Sequence, residues 1–191
     1  MIATLYDKFK PWSAGGSVWI ISDPHFEDPD CKLMNPGWIT PQEQIDIINK
    51  KVMPSDTLIL LGDIGNPEWV LKIKSKNKIL IMGNHDAGKT NFEYYFNEIY
   101  EGPVFIAEKI LLSHEPIINS NWLNIHGHCH NGHRYDLTED LTVIGINVAS
   151  DVHNYVPINL KDVIKSGYLS KITSVHRDTI DNATFKKKGE I

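Results

Sequence analysis

Residues 57–63 read TLILLGD, an apolar run that stops at a glycine and a carboxylate. A continuous apolar stretch of this length, bounded by a turn residue, is the pattern of a buried strand. Two other stretches repeat it. SVWIIS at 17–22 stops at Asp23-Pro24-His25, and KILIM at 78–82 stops at Gly83-Asn84-His85-Asp86. Helical signals lie between them. TPQE at 40–43 is a capping box with proline at the first helical position, and it opens a helix with Ile45, Ile48 and Val52 on one face. Pro67 to Lys74 predicts a short helix with Trp69, Val70 and Ile73 turned inward.

Outward from this centre, residues 26–40 read as a polar, proline-rich loop and 90–99 as helical. From Val104 the spacing changes to short strands, at 103–107, 109–113, 122–126 and 142–148, with a short helix at 160–165. The tail from 171 has no clear pattern, and the KKK at 186–188 reads as a solvated, peripheral end. Strand–helix alternation followed by hairpin-like strands predicts an α/β fold: two mixed β-sheets in a sandwich flanked by helices. The expectation is a single domain over 1–191.

Composition narrows the function. The formal net charge is −5 and only 23% of residues are charged, so extensive nucleic-acid or anionic-membrane binding through clustered Lys and Arg is not expected. Two cysteines, Cys31 and Cys129, cannot build a disulfide framework or a four-thiolate zinc site. No signal peptide or membrane span is visible, and the reading is cytoplasmic. The five tryptophans, Trp12, Trp19, Trp38, Trp69 and Trp122, read as packing residues. Trp38 is also a substrate-contact candidate, because its loop follows Asp23-Pro24-His25. Nine histidines in 191 residues form the unusual count.

Those histidines collect where strands stop. Asp23 and His25 follow the first strand, Asp63 the second, and Asn84, His85 and Asp86 the third. His114 follows ILLS, and His126, His128 and His130 follow WLNI. Ligands of α/β folds sit at the carboxyl ends of strands, so these groups are expected to converge on one rim. Side chains at i and i+2 of an extended segment share a side, which lets Asp23 reach one ion with His25, and His128 with His130. Gly62, Gly83 and Gly127 precede the polar groups, where the backbone turns sharply. Mixed nitrogen and oxygen donors suit borderline divalent metals.

In this order, D-x-H, G-D, G-N-H-D, a lone H and G-H-x-H resemble the calcineurin-like metallophosphoesterase superfamily, over residues 18 to about 130. The segment NVASDVHNYVPINLKDVI at 147–164 is similar, more weakly, to the closing strand and helix of small, uncapped bacterial and phage members. The resemblance implies a four-layer α/β/β/α sandwich. It implies one metal held by Asp23, His25, Asp63 and His130, and a second held by Asp63, Asn84, His114 and His128, with Asp63 bridging. The two divalent ions (manganese foremost, with iron, nickel, zinc and cobalt as alternatives) would lie about 3.5–4 Å apart and share the attacking hydroxide. His85 would act as general acid or stabilise the phosphoryl oxygens.

The implied function is hydrolysis of a small phosphate-ester substrate, with a diester preferred by analogy to uncapped relatives. A phosphomonoesterase, a nucleotide pyrophosphohydrolase or a non-catalytic scaffold of the same fold are the alternatives. Many relatives read G-D-x-x-D where this chain has Asn66, so either Asn66 or Asp86 is expected to orient His85. His126 is a candidate supporting or structural residue. Arg134 either forks onto a phosphate oxygen or pairs with Asp136 or Glu139. Cys129 is expected to point away from the metals. Oligomeric state leaves no mark in the sequence.

Overall fold

The computed structural model describes residues 3–4, 12–88 and 91–174, so of the tail from 171 only residues 171–174 are described, and KKK and His176 lie outside the described residues. The elements run β1 (Ala3–Thr4), β2 (Val18–Ile21), α1 (Cys31–Met34), α2 (Pro41–Lys51), β3 (Thr57–Leu60), a 3₁₀ turn (Pro67–Lys72) and β4 (Asn77–Ile81). A second 3₁₀ turn (Phe92–Tyr94) leads to β5 (Glu98–Tyr100), β6 (Val104–Ala107), β7 (Ile110–Leu112) and β8 (Leu123–His126). The described chain closes with β9 (Tyr135–Leu137), β10 (Val143–Asn147), β11 (Ile158–Asn159), α3 (Leu160–Lys165) and a last 3₁₀ turn (Tyr168–Lys171).

The strands form two mixed sheets, as expected. One has the order β11-β2-β3-β4-β5, and the other β1-β6-β7-β8-β10-β9. Within the first, β2, β3, β4 and β5 are parallel, with Ile20 beside Ile59 and Ile59 beside Ile79. Within the second, β7, β8 and β10 are parallel. The apolar runs are explained by burial on both faces. Ile20, Ile59 and Ile79 pack between the sheets against Leu112, Leu123, Ile125 and Ile146. Their neighbours Ile21, Leu58, Leu60 and Leu80 face Ile45, Ile48 and Val52 of α2 and Val70 and Ile73 of the 3₁₀ turn. Each such side chain contributes about 1.5–3 kcal/mol when fully buried.

The helix α2 starts where the capping box places it. Thr40 accepts the Glu43 N–H, and the Glu43 carboxylate accepts the Thr40 N–H. Two stretches differ from expectation. The loop at 26–40 contains the short helix α1. The predicted helix at 90–99 is instead a 3₁₀ turn and strand β5, because Asn97 exchanges hydrogen bonds with the Lys78 backbone and docks the chain onto the open edge of β4. The edge strands β9 and β11 are too short to leave a sequence pattern.

The two sheets meet at the carboxyl ends of β2 and β10. The Ser22 N–H donates to Val148 O and the Ser150 N–H to Ser22 O. The buried Ser22 and Ser150 hydroxyls donate to Leu61 O and Ser22 O, each at 2.6 Å. This seam brings the ends of β2, β3, β4, β7, β8 and β10 to one rim.

Candidate metal centre

Four of the rim residues have left-handed backbones: Asp23 (φ 55°), His25 (41°), Asp63 (53°) and His128 (67°). Non-glycine residues seldom adopt this region, and such strain concentrates at functional sites. The turns are held by hydrogen bonds, with the Asp23 N–H donating to Gly62 O and the His25 N–H to Asp63 O. The expected extended i, i+2 geometry is therefore not what aims these side chains, and His128 and His130 turn to different partners. Gly127 permits the crossing, since a Cβ there would overlap Ser22 Oγ and Asp23 Oδ2.

Two groups of ligand atoms result, Asp23 with His25 and His130, and Asp63 with His114 and His128, each within 4.8 Å. In the first, His25 Nδ1 lies 3.1 Å from Asp28 Oδ2 and His130 Nδ1 lies 3.0 Å from Asp151 Oδ1. A carboxylate only accepts, so both Nδ1 atoms carry their protons, and Nε2 is the nitrogen each ring turns toward the centre. Those two Nε2 atoms face each other at 3.2 Å. Asp23 Oδ1 is 3.6 Å from His130 Nε2, and it is buried without a hydrogen-bond partner among the described residues.

The second group repeats the logic. His114 Nδ1 is 2.7 Å from Leu61 O, a pure acceptor, which leaves Nε2 as the nitrogen that faces inward. It lies 2.8 Å from Asn84 Oδ1, 3.2 Å from His128 Nδ1 and 3.4 Å from Asp63 Oδ2. Asp63 Oδ2 also lies 3.6 Å from His25 Nε2, so this oxygen stands between the groups. Asp63 Oδ1 accepts the His85 N–H at 2.9 Å.

Converging lone pairs repel unless positive charge sits among them. Burial lowers the pKa of His114, but its hydrogen bond to Asp63 and the charges of Asp23 and Asp63 outweigh this and push it up to about 9. Burial raises the Asp23 carboxyl above the ordinary range. For Asp63 burial is overcome by the His114 hydrogen bond and charge, and the net direction is down. The buried Asp23 oxygen without a partner and the mixed N/O donor set fit divalent cations. A further triplet, His25, Asp28 and Cys31, lies nearby. There burial and neighbouring aspartates push the Cys31 thiol up to about 12, and its Sγ donates to His25 O at 3.5 Å.

The other candidates separate cleanly. The His85 side chain is 58% exposed, with Nε2 4.0 Å from Asp63 Oδ2. Among the described residues neither Asn66 nor Asp86 bonds its ring. Asn66 caps the 3₁₀ turn and donates to Glu27, while Asp86 accepts the N–H groups of Asp63, Ile64 and Gly83. His126 is buried between Gly127 O (2.9 Å) and Asp136 Oδ2 (2.7 Å), a cross-strand tie away from the two ligand groups. Arg134 donates through Nε to Val152 O. Trp38 is 8% exposed and packs edge-on against His25 and His130, with ring centroids 6.0 and 5.5 Å apart. Cys129 joins neither ligand group among the described residues. Asp28 and Asp151 are the site residues that the sequence reading missed. Asp151 lies inside the weakly matched segment at 147–164, which was the available signal.

Two grooves flank the centre. One of about 530 Å³ is lined by His25, Glu27, Asp28, Asp30 and His85, among others. The other, of about 270 Å³, is lined by Asn84, Glu101, His114 and Glu115, among others.

Residues 16–162, which contain every one of these groups, match the sequence model of the calcineurin-like phosphoesterase family. No curated protein matches the chain. Among solved structures the chain is similar to a protein of unknown function from Aquifex aeolicus, at 28% identity and a TM-score of 0.65, over 78% of this chain and 98% of that one. A nuclease from Pseudomonas putida aligns at 20% identity and a TM-score of 0.44, over 65% of each chain.

Proposed function

This chain belongs to the calcineurin-like phosphoesterase family, and from that premise we propose that its rim is a dinuclear centre acting on phosphodiesters. Membership makes the protein a metal-dependent phosphoester hydrolase. In our reading Asp23, His25, Asp63 and His130 hold one divalent ion, and Asp63, Asn84, His114 and His128 the other, manganese being the first choice. The carrying observation is the position of Asp63 Oδ2, 3.6 Å from His25 Nε2 and 3.4 Å from His114 Nε2, with one oxygen facing both groups of ring nitrogens. Bound divalent ions supply Lewis acidity and make water far more acidic than in bulk.

The chain's own groups do the rest. Asp28, Asp151 and Leu61 O fix which ring nitrogens face inward. His85 has an exposed ring beside the centre, and donates a proton to the leaving oxygen or hydrogen-bonds the phosphoryl oxygens. Two ions bring +4 against −2 from Asp23 and Asp63, so the rim attracts a phosphate ester locally despite the overall −5. The diester preference is supported by the two grooves, one on the His25 and His85 side and one on the Asn84 and His114 side, each with room for one ester arm. Among the described residues neither groove is lined by Lys or Arg, and several carboxylates line them, which disfavours a long polyanionic nucleic-acid track.

The test is hydrolysis by metal-stripped protein reloaded with Mn, Fe, Co, Ni or Zn, with bis(p-nitrophenyl) phosphate and p-nitrophenyl phosphate assayed side by side. The diester rate is expected to dominate. A dominant monoester rate overturns the diester preference, and no hydrolysis of either ester with two ions bound points to the scaffold reading.

A further inference from the structure

The two halves of the centre are not equivalent. Behind His25 stands Asp28, and behind His130 stands Asp151, whose side chain is 1% exposed. Each of these carboxylates is itself pinned. Asp28 Oδ1 accepts the Asp30 N–H at 2.9 Å, and Asp151 Oδ2 accepts the Asn131 N–H at 2.9 Å. Trp38 packs against both histidine rings. In the other half, among the described residues, neither His114 Nδ1 nor His128 Nε2 bonds a carboxylate. His114 Nδ1 leans on the neutral Leu61 carbonyl, with Asp23 Oδ1 3.9 Å away and beyond hydrogen-bond reach, Asn84 is uncharged, and His128 is exposed with no partner for Nε2 among the described residues.

A carboxylate behind a metal-binding imidazole fixes the ring and raises its basicity, and losing it typically weakens metal binding ten- to hundredfold. Negative charge held close in a partly buried site also attracts a cation more strongly than it would in water. Resting on the dinuclear reading above, we infer that Asp28 and Asp151 are positioning residues that make the Asp23–His25–His130 half the tighter pocket, filled first, while the Asn84–His114–His128 half holds the exchangeable ion. Asp63 serves both halves and does not discriminate between them.

The experiment is a metal titration of chelator-stripped protein with Zn²⁺ or Mn²⁺, followed by competition with a chromophoric chelator and by native mass spectrometry. Wild type is expected to take two ions in separable steps. His128→Ala, which alters an exposed side chain, should leave the tight step alone. In that background Asp28→Asn and Asp151→Asn should each weaken the remaining step ten- to hundredfold. In a His25→Ala background, where the weaker half remains, Asp151→Asn should change nothing, whereas a merely structural role would lower both. Circular dichroism establishes that each variant is folded. Two ions bound with equal affinity, or folded Asn variants that bind like their parents, would overturn the assignment. Fewer than two ions on wild type would overturn the dinuclear reading instead.

Discussion

The carboxylate of Asp86 accepts the backbone N–H of Asp63 at 2.9 Å. It also accepts those of Ile64 (3.0 Å) and Gly83 (2.8 Å), while 2% exposed. One buried side chain thus ties the end of β3 to the end of β4 and holds Asp63 in its left-handed turn. Removing it strands three donors away from water. Asp86→Ala should cost about 3 kcal/mol or more, on the order of 10 °C in melting temperature for a chain of this size. Thermal denaturation by circular dichroism checks this, and an unchanged melting temperature would disprove the staple.

His85 makes the opposite case. Its side chain is 58% exposed, so His85→Ala should leave stability within about 0.5 kcal/mol. Turnover of the metal-loaded enzyme should fall on the order of 10²–10⁴-fold if the ring transfers the proton, with metal content by atomic absorption unchanged. Loss of an ion would instead make His85 a ligand.

Metal uptake should expel protons. His114 is pushed up to about 9 in the metal-free protein, so at pH 7 it carries a proton that a ligand must give up. Calorimetric titration in buffers of different ionisation enthalpy should show net proton release at pH 7, diminishing as pH rises through about 9, and affinity should weaken as pH falls. The sign for the metal-free fold is the reverse. A raised histidine contributes stability that is fully present below its ordinary value of 6.5 and is lost as pH rises through about 9. Uptake at pH 7 without proton release would remove His114 from the ligand set.

Gly127 tests the close approach of β8 to β2. A Cβ at this position would overlap Ser22 Oγ and Asp23 Oδ2, and the latter accepts the His128 N–H at 2.9 Å. Gly127→Ala should therefore lower metal content as well as melting temperature. A variant that binds two ions normally would show that the turn can relax.

The capping box supplies a control far from chemistry. Thr40→Ala removes the acceptor for the Glu43 N–H and should cost about 1 kcal/mol in chemical denaturation. Metal affinity should stay the same.

Much of this was legible in the chain itself. The strands around Ile20, Ile59 and Ile79 announce themselves because burial on both faces demands unbroken apolar runs, and α2 because its cap uses side chains local in sequence. Strand β5 was read as helix because the edge of β4, a partner outside the segment, decides its conformation. Asp28 is only three residues from His25, yet nothing in the spacing says that its carboxylate turns back to Nδ1. Asp151 is 21 residues from His130 and meets it only through the β8–β10 pairing.

The sequence by itself determined which donor types exist and that they follow strand ends, since motif order and apolar periodicity are properties of the chain. Only the tertiary structure decided which nitrogen of each histidine faces inward, which residues share a pocket, and that Asp86 holds the backbone rather than His85. Those outcomes depend on left-handed turns and on acceptors brought from other strands, and no local pattern encodes a contact across two sheets.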